Sequence, residues 1–472
     1  MSLQPSSAPE RVIVRRLTGA LLLGYLVYLF STPYTALYYD SMTYWDLTGL
    51  YYYPTKSFRL LSFNSSIRGY LLPLLLFPFR VAAYLTHVPP IQFTRVLGAV
   101  LAAGLFGWAA PATWQAVVAP APLSWPRRLA FAALGFLFWR DYFNFPLTDF
   151  LSLGLMLTVF WLIARRGQRP GWLLLAGALC MAAVNMRPVY AGAAGLLVLG
   201  GLVLARQQRL GWPVVGRLLG AFVLGMALVG APQLAMNARH YDQYTPLVLT
   251  WKNPAAPQSL YLSQLSWGLA VQKYETTIDP NYPNTKEPDP RIMYVDKVGQ
   301  RIMDEEQISF VYGLRDLNHY LVAVGHNLPD MAALYARHIF NGLDVKYPTP
   351  YLPRVYGSTL PLSLLNYTVL FLAGLLLLGR RHQRPSWPQW VVLVVLVGPC
   401  LLAIPTAIEC RFFIPIYLLI YAVLCFQWPT DWRQWLLRWP VALAYVAFVL
   451  MCLVMSSNTM WHMSNGPRLL WP

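Results

Sequence analysis

The chain has 472 residues, of which 57% are hydrophobic and 12% are charged, and its formal net charge is +17. Ordinary soluble domains carry about 25% charged residues, and apolar runs of about 17 residues or more recur along this chain, so a soluble protein is excluded. Arginines cluster in short stretches between the apolar runs, with no zinc-finger, RNP or helix-turn-helix pattern. Such clusters indicate membrane topology, and we therefore exclude nucleic acid as a partner.

The apolar runs, taken in chain order, predict an all-α polytopic membrane protein with about 13 transmembrane helices, extracytoplasmic loops and short interfacial helices. The predicted spans are 12–34, 69–87, 92–110, 112–124, 128–140, 147–164, 171–185, 189–205, 214–236, 361–379, 388–407, 412–428 and 440–456. The fourth and fifth are short, and the seventh and eighth can instead form one long helix broken at Pro188.

These spans divide the chain into three regions. Residues 1–236 form an N-terminal transmembrane module whose first external loop is 38–68, residues 237–360 form a large extracytoplasmic loop region, and residues 361–472 form the C-terminal transmembrane helices. In the large loop, the stretches 292–314 and 328–345 have helical apolar spacing. We expect the second stretch, which begins at Leu328 and reaches Gly342, to lie along the membrane surface.

The sides of the membrane follow from the positive-inside rule. With an uncleaved cytoplasmic N-terminus, the arginine clusters all fall inside: Arg11, Arg15, Arg16, Arg127, Arg128, Arg165, Arg166, Arg169, Arg206, Arg209, Arg217, Arg380, Arg381, Arg384, Arg433 and Arg438. Dropping the fourth span would invert every later side. The acids fall outside: Asp40, Asp46, Asp141, Asp149 and Glu409. We therefore expect the polar chemistry on the extracytoplasmic face, and the short loops and the lack of retention signals favour a bacterial inner (plasma) membrane.

Two candidate sites contain acids that follow apolar helices. Asp40 opens the stretch "DSMTYWDLTGLYYY", where it is either a carboxylate that takes a proton from an acceptor or, with Ser41, a helix N-cap. Asp141 lies in "FWRDYFNFPLTDF" between Arg140 and Asp149, and the alternative here is a solvated anchor at the membrane interface. Because both acids fall on one face, they can belong to one assembled site.

Two further candidates contain arginines. Glu409 and Arg411 in "IPTAIECRFFIPIY" either satisfy each other or hold an anionic phosphate. Arg187 in "NMRPVY" lies at a predicted helix break, where a charge needs a partner or a cavity, and a phosphate is suitable because guanidinium binds it through two donors. The alternative for Arg187 is a turn residue at the outer interface.

With these motifs the chain resembles the GT-C superfamily of integral-membrane glycosyltransferases. The family pattern has a first external loop that opens on an acid with a tyrosine shortly after it, here Asp40 and Tyr44. The loop returns through an arginine into a Leu-rich helix, here "SIRGYLLPLLL" with Arg68, and Asp141 matches a second external acid. A late acid–Arg–aromatic–Pro signature is matched by "ECRFFIPIY". The chain departs from the pattern where Ser41 replaces a second acid.

The resemblance implies an inverting transfer of a sugar from a polyprenyl-phosphate donor to a saccharide or lipid acceptor. Asp40 and Asp141 would be catalytic, Asp40 as the general base and Asp141 as support for the acceptor or the base. Substrate binding would fall to Tyr44, Asp46, Arg68, Arg187, Glu409 and Arg411. Some family members need a divalent metal such as Mg²⁺ or Mn²⁺ and others do not, so no cofactor is certain.

Two other functions remain open. An O-antigen ligase or polymerase type of enzyme would use a polyprenyl-diphosphate donor and depend on loop histidines such as His319 and His326. A secondary transporter or flippase would place charges near the bilayer midplane and often show two related halves, whereas here the acids gather on one face. The scattered histidines lack metal-binding spacing, and we expect ordinary polar roles for them.

Overall fold

The computed structural model describes residues 8–52, 57–119, 121–207, 209–252, 259–278, 291–309, 313–352, 359–379, 385–429, 438–466 and 468–469. The predicted inner arginines Arg380, Arg381, Arg384 and Arg433 lie outside these residues. The chain is mostly helical and falls into two compact units. Unit 1 comprises residues 1–133, 141–257 and 384–399, and unit 2 comprises residues 134–140, 258–383 and 400–472.

Helices account for most of the described residues. In chain order they are α1 (Ala8–Ser31), α2 (Tyr39–Leu47), α3 (Leu71–Thr86), α4 (Pro90–Gly104), α5 (Ala110–Val117), α6 (Trp125–Trp139), α7 (Thr148–Arg166), α8 (Pro170–Met186), α9 (Ala191–Gln207), α10 (Trp212–Tyr241), α11 (Leu260–Ala270), α12 (Lys297–Glu305), α13 (Leu317–His326), α14 (Leu328–Gly342), α15 (Leu360–Gly379), α16 (Trp387–Ala403), α17 (Ile414–Phe426) and α18 (Trp439–Asn465). The strands are β1 (Val271–Thr277), β2 (Arg291–Val295), β3 (Tyr351–Leu352) and β4 (Arg468–Leu469).

Several helices have the length and composition of membrane spans. Within the described residues, 6 are long and apolar enough to cross a membrane: Glu10–Ser31, Pro90–Val117, Thr148–Arg166, Trp212–Tyr241, Leu360–Gly379 and Trp439–Asn465. Further apolar helices are shorter: Leu71–Thr86, Pro170–Met186, Pro188–Val203, Trp387–Ala403 and Cys410–Phe426. These helices are compatible with the predicted membrane protein.

The predicted separation of spans 92–110 and 112–124 is wrong. The chain runs without a break from Pro90 to Val117, because α4 continues through a π-helical turn at Leu105–Ala109 into α5. Pro111 lacks an N–H and would normally interrupt a helix. The wider π turn just before it changes the hydrogen-bond register, which lets the helix continue past the proline.

Polar contacts at both ends of α1 show in which direction its neighbours in unit 1 run. Near its start, Glu10 Oε1 accepts from Arg128 Nη2 at 2.9 Å and from Gln115 Nε2 at 2.6 Å. Near its other end, Tyr28 OH donates to Asp141 Oδ1 at 2.7 Å, and Arg95 Nη2 donates to the carbonyl oxygen of Tyr34 at 2.8 Å. The run α4–α5 is therefore antiparallel to α1, and the segment from Arg128 to Asp141 runs parallel to it.

Unit 2 corrects the expectation of an all-α protein, because its strands form a four-stranded sheet of order β3-β1-β2-β4. The central strands β1 and β2 pair antiparallel with Tyr274 opposite Met293, and β3 pairs parallel with β1. One side of this sheet packs on an apolar core that includes Leu265, Leu269 and Ile302.

The stretch 292–314 was expected to be helical, and this is wrong for its first residues. Ile292–Val295 lie in β2, and α12 begins only at Lys297. In the strand, Ile292 and Tyr294 pack against Met463, whereas Met293 packs into the core of unit 2. Alternate side chains of the strand are therefore buried on opposite faces of the sheet. A continuous run of apolar residues is typical of a strand whose two faces are both covered.

Candidate functional site

The first polar cluster lies where the chain passes from α1 into α2. Tyr38 is the N-cap residue of α2, and its backbone N–H donates to the Ser41 hydroxyl at 3.0 Å. The alternative that Asp40 or Ser41 occupies the N-cap position is therefore wrong. Tyr39 has a φ of 44°, a left-handed conformation that bulky residues rarely adopt. The backbone just before Asp40 is thus strained, as often occurs at functional sites.

The structure brings Asp40, Tyr44 and Arg68 together. Arg68 Nη2 donates to Asp40 Oδ1 at 2.8 Å, and the guanidinium carbon lies 5.2 Å from the ring centroid of Tyr44. Asp40 and Tyr44 share a face of α2 because they are four residues apart. The side chains of Arg68 and Asp40 are 27% and 31% exposed, whereas Tyr44 is buried. The ion pair therefore rests on a buried ring and faces solvent.

A second ion pair joins Arg187 to Asp149. Arg187 follows the last residue of α8 in an extended conformation, and Asp149 lies in the first turn of α7. Arg187 Nη1 donates to Asp149 Oδ1, and the side chains are 22% and 5% exposed. The prediction that a charge at this helix break has a partner is confirmed. The pairing of Asp149 with Arg187 does not follow from the sequence, because 38 residues separate the two partners in the chain.

Asp141 is held by hydroxyl groups. Tyr28 OH donates to one carboxylate oxygen at 2.7 Å, and Tyr34 OH lies 3.5 Å from the other. The turn that carries Asp141 is fixed by Asn144, whose Oδ1 accepts from Arg95 Nε at 3.1 Å. Arg95 is buried. Asp141 thus has a different set of partners from Asp40, and its predicted role in catalysis stays a prediction.

A chain of three buried amides supports the first two clusters. Asn185, at the end of α8, accepts from the backbone N–H of Leu71 at 3.1 Å and donates to Gln233 at 2.9 Å. Gln233 donates to Asn237 at 2.9 Å, and Asn237 donates to the carbonyl oxygens of Thr245 and Leu247. The amides connect the segment after Arg68 to the segment before Arg187. Nothing in their sequence spacing indicated this connection.

Two predicted residues lie elsewhere on these elements. Asp46 is exposed on α2, and its position six residues after Asp40 puts it on a different face of the helix. Its role in substrate binding stays a prediction. Arg140, the neighbour of Asp141, donates from Nη1 to the carbonyl oxygen of Leu137 at 2.8 Å.

In unit 2, Glu409 and Arg411 bind each other. Arg411 Nη2 donates to Glu409 Oε1 at 2.8 Å, and its Nε lies 2.8 Å from Oε2. Tyr274 OH also donates to Glu409 Oε1. Both side chains of the ion pair are 15% exposed. This arrangement matches the alternative in which the pair satisfies itself, and phosphate binding by Arg411 stays a prediction.

Behind this pair, unit 2 buries further charges. Lys273 Nζ lies 3.1 Å from the carbonyl oxygen of Asp344 and 3.6 Å from Glu275 Oε1. Lys346 Nζ lies 3.4 Å from Asp344 Oδ2, which also accepts from the Ser456 hydroxyl. Burial raises the pKa of Glu275, although Lys273 opposes this, and burial lowers the pKa of Lys346, although Asp344 opposes it. No pattern in the sequence indicates that these lysines are buried.

The residues of these clusters do not fit a divalent metal. Mg²⁺ and Mn²⁺ prefer several carboxylate oxygens around one point, but Asp40 and Asp149 each face a guanidinium. Among the residues that the structure describes, no three His, Cys, Asp or Glu side chains are grouped to hold an ion. His326 Nδ1 lies 2.9 Å from Glu306 Oε1, and His319 Nε2 donates to the carbonyl oxygen of Glu306 at 2.9 Å.

No protein-family model, curated protein or solved structure matches the chain.

Proposed function

We propose that this protein is an inverting glycosyltransferase that moves a sugar from a polyprenyl-phosphate donor to a saccharide or lipid acceptor. The observation that carries the proposal is the Asp40–Arg68 ion pair, partly exposed and stacked on Tyr44 in the first loop after an apolar helix. The Asp149–Arg187 pair adds a second acid and a second guanidinium in the same unit. These are the residue types that the resemblance to the GT-C superfamily requires.

In this proposal Asp40 is the general base. Its carboxylate takes the proton of the acceptor hydroxyl while that oxygen attacks the anomeric carbon of the sugar. The bond between this carbon and the phosphate oxygen breaks, the oxygen keeps the electron pair, and the configuration at the carbon inverts. Arg68 orients the carboxylate through the 2.8 Å hydrogen bond. Asp141 supports the acceptor, and the hydroxyls of Tyr28 and Tyr34 hold it in place.

Arg187 binds the phosphate in this proposal. A guanidinium carries five donors, so Arg187 can bind the donor phosphate while its Nη1 stays paired with the buried Asp149. The positive charge then stabilises the phosphate as it leaves. Arg187 is 22% exposed and lies at a helix break, where a lipid-borne phosphate can reach it.

We further propose that unit 1 crosses a bacterial inner membrane with Asp40 on the outer side. Arg80 of α3 donates to the Trp45 carbonyl oxygen and the Thr48 hydroxyl at the end of α2, which places α3 beside the first loop. If α3 lies at the surface, one predicted crossing is lost, and the merger of 92–110 with 112–124 removes another. The two changes offset each other, so Arg127 and Arg128 stay inside and Asp141 stays outside, as the positive-inside rule requires.

Lipid analysis of the native host tests the proposal. Cells with Asp40→Asn are compared with wild type by mass spectrometry of their polyprenyl-linked lipids. We expect one polyprenyl-monophosphate sugar to accumulate, because loss of a general base lowers turnover by about 10²–10⁴-fold. The matched control is Asp242→Asn, since Asp242 is exposed and has a φ of 54°, which asparagine tolerates.

Two outcomes would overturn the assignment. Unchanged monophosphate sugars in cells that contain normal amounts of the membrane-inserted variant would remove Asp40 from the chemistry. Accumulation of a diphosphate-linked saccharide, reproduced by His319→Ala or His326→Ala, would favour the ligase or polymerase type. The inserted amount is measured on the same membranes, so misfolding and loss of chemistry are distinguished.

A further inference from the structure

Three helices of unit 2 expose surfaces of opposite character. The side chains that α12 exposes are polar or charged: Lys297, Gln300, Arg301, Asp304 and Glu305. Helices α13 and α14 form a hairpin with an apolar face, which consists of Leu317, Leu321, Val322, Leu328, Ala332, Ala333, Ala336 and Ile339. The exposed polar residues on these two helices are Asn318 and His326, and the Asp330 side chain is also 43% exposed. A contiguous apolar face of this kind marks an interaction surface.

The charged side chains of the hairpin point towards α12 and the residues beside it. Asp330 accepts from Arg301 at 2.6 Å, and Arg337 donates to Asp296 at 2.5 Å. His326 lies 2.9 Å from Glu306 although its side chain is 66% exposed. The charged side chains of the hairpin therefore lie on the side that contacts α12, and the opposite face of the hairpin is apolar.

The hairpin and α11 contact residues at the end of α16 and just before α17. His338 Nδ1 donates to the carbonyl oxygen of Ile404, the residue after the end of α16, at 2.6 Å. Tyr261 of α11 donates to the carbonyl oxygen of Leu402, whose side chain is 51% exposed. At the end of α14, Gly342 lies against the ring of Phe413, the residue before α17.

We propose that the apolar face of the α13–α14 hairpin lies in the membrane interface and contacts lipid acyl chains, with α12 turned towards water. A lipid bilayer is the fitting partner because α14 contacts Ile404 and Phe413, which lie at the ends of the apolar helices α16 and α17. Amphipathic helices with an apolar face bind at this depth of a bilayer. The proposal extends the expected surface helix at 328–345 to a pair of helices, and it does not depend on the glycosyltransferase reaction.

Nitroxide labels on the full-length chain test this proposal. Leu321→Cys and Ala336→Cys are labelled separately in vesicles of phosphatidylcholine and phosphatidylglycerol, and Gln300→Cys on α12 is the matched exposed control. Power saturation measures collisions of each label with oxygen, which dissolves in lipid, and with a nickel chelate, which stays in water. We expect a ratio of oxygen to nickel collisions several-fold higher at 321 and 336 than at 300.

Two results would overturn the proposal. Nickel collisions at 321 and 336 equal to those at 300 would show that the hairpin faces water. Low collision rates with both reagents would show that protein, such as a second copy of the chain, covers the face. The signal from labelling of the native cysteines is measured on the wild-type chain, because Cys410 is only partly buried. A labelled variant that lowers the melting temperature is replaced by Leu317→Cys.

Discussion

Two charged clusters, one in each unit, differ in their exposure. In unit 1, Arg68 pairs with Asp40, and about a third of each side chain is exposed. In unit 2, Lys273 is 2% exposed and is surrounded by backbone carbonyl oxygens, a carboxylate and a thiol. An exposed pair contributes about 0–1 kcal/mol to stability, whereas breaking a buried pair costs about 3–5 kcal/mol.

This difference separates charges that are available to a ligand from charges that hold a fold together. A partly exposed pair such as Asp40 and Arg68 can exchange one partner for a substrate, because water already reaches both groups. A buried lysine with several acceptors cannot move without leaving each acceptor unsatisfied. We therefore expect substitutions of the Asp40–Arg68 pair to change activity and substitution of Lys273 to change stability.

The largest expected effect is on stability, from Lys273→Met. Methionine keeps much of the side-chain volume but removes the charge, which leaves Glu275 and the carbonyl oxygens of Asn341 and Asp344 without their donor. Removing one partner of a buried pair costs about 3–5 kcal/mol. We expect the apparent melting temperature in detergent to fall by about 5 °C or more.

The same substitution at an exposed position provides the control. Lys297 is exposed at the start of α12, so Lys297→Met is expected to leave the melting temperature nearly unchanged. Equal melting temperatures for Lys273→Met and wild type would show that the buried charges do not hold unit 2 together. The Lys273 cluster would then differ from the Asp40–Arg68 pair only in its exposure and not in its contribution to stability.

The sequence allowed part of the site to be predicted. Asp40 and Tyr44 are four residues apart on one helix, so their shared face follows from helical geometry. The partner of Arg187 did not follow, because Asp149 lies on another helix and no local spacing relates the two. The apolar helices were likewise predictable from run length, but the continuity past Pro111 depends on a π turn whose register the composition does not show.

The sheet of unit 2 illustrates a different limit. The residues Ile292-Met293-Tyr294-Val295 suit either a helix or a strand buried on both faces. Their strand conformation is decided by pairing with β1, which lies before the long loop in the chain. The burial of Lys273 has the same origin, since the carbonyl oxygens that surround it come from Asn341 and Asp344. Long-range contacts decide these features, and one sequence does not display them.

The next effect concerns activity, from Arg68→Met. Loss of the guanidinium leaves Asp40 without the donor at 2.8 Å and Tyr44 without its stacked cation. We expect kcat/KM with the donor lipid to fall by about 10²–10³-fold, a loss typical of an electrostatic group at a reacting centre. The melting temperature should change little, because the pair is partly exposed.

Two variants sharpen this result. Arg59 is exposed in the same loop, and Arg59→Met should keep wild-type activity. Arg68→Lys keeps the charge but loses the forked donor geometry, so it should recover only part of the activity. A melting temperature that falls as far in Arg68→Met as in Lys273→Met would erase the distinction between the two units.

The smallest effect is a pH dependence that belongs to unit 2. Burial lowers the pKa of His338 to about 4, below the ordinary value of 6.5. Between these values the unfolded chain binds more protons than the folded chain, so stability falls as the pH falls. At pH 5 the loss relative to pH 7 is about 2 kcal/mol. We expect the melting temperature of His338→Gln to fall less than that of wild type as the pH is lowered from 7 to 5.

His87→Gln provides the control, because His87 is an exposed residue of unit 1. Its melting temperature should depend on pH as that of wild type does. A weaker pH dependence in His87→Gln, and not in His338→Gln, would place the acid sensitivity in unit 1.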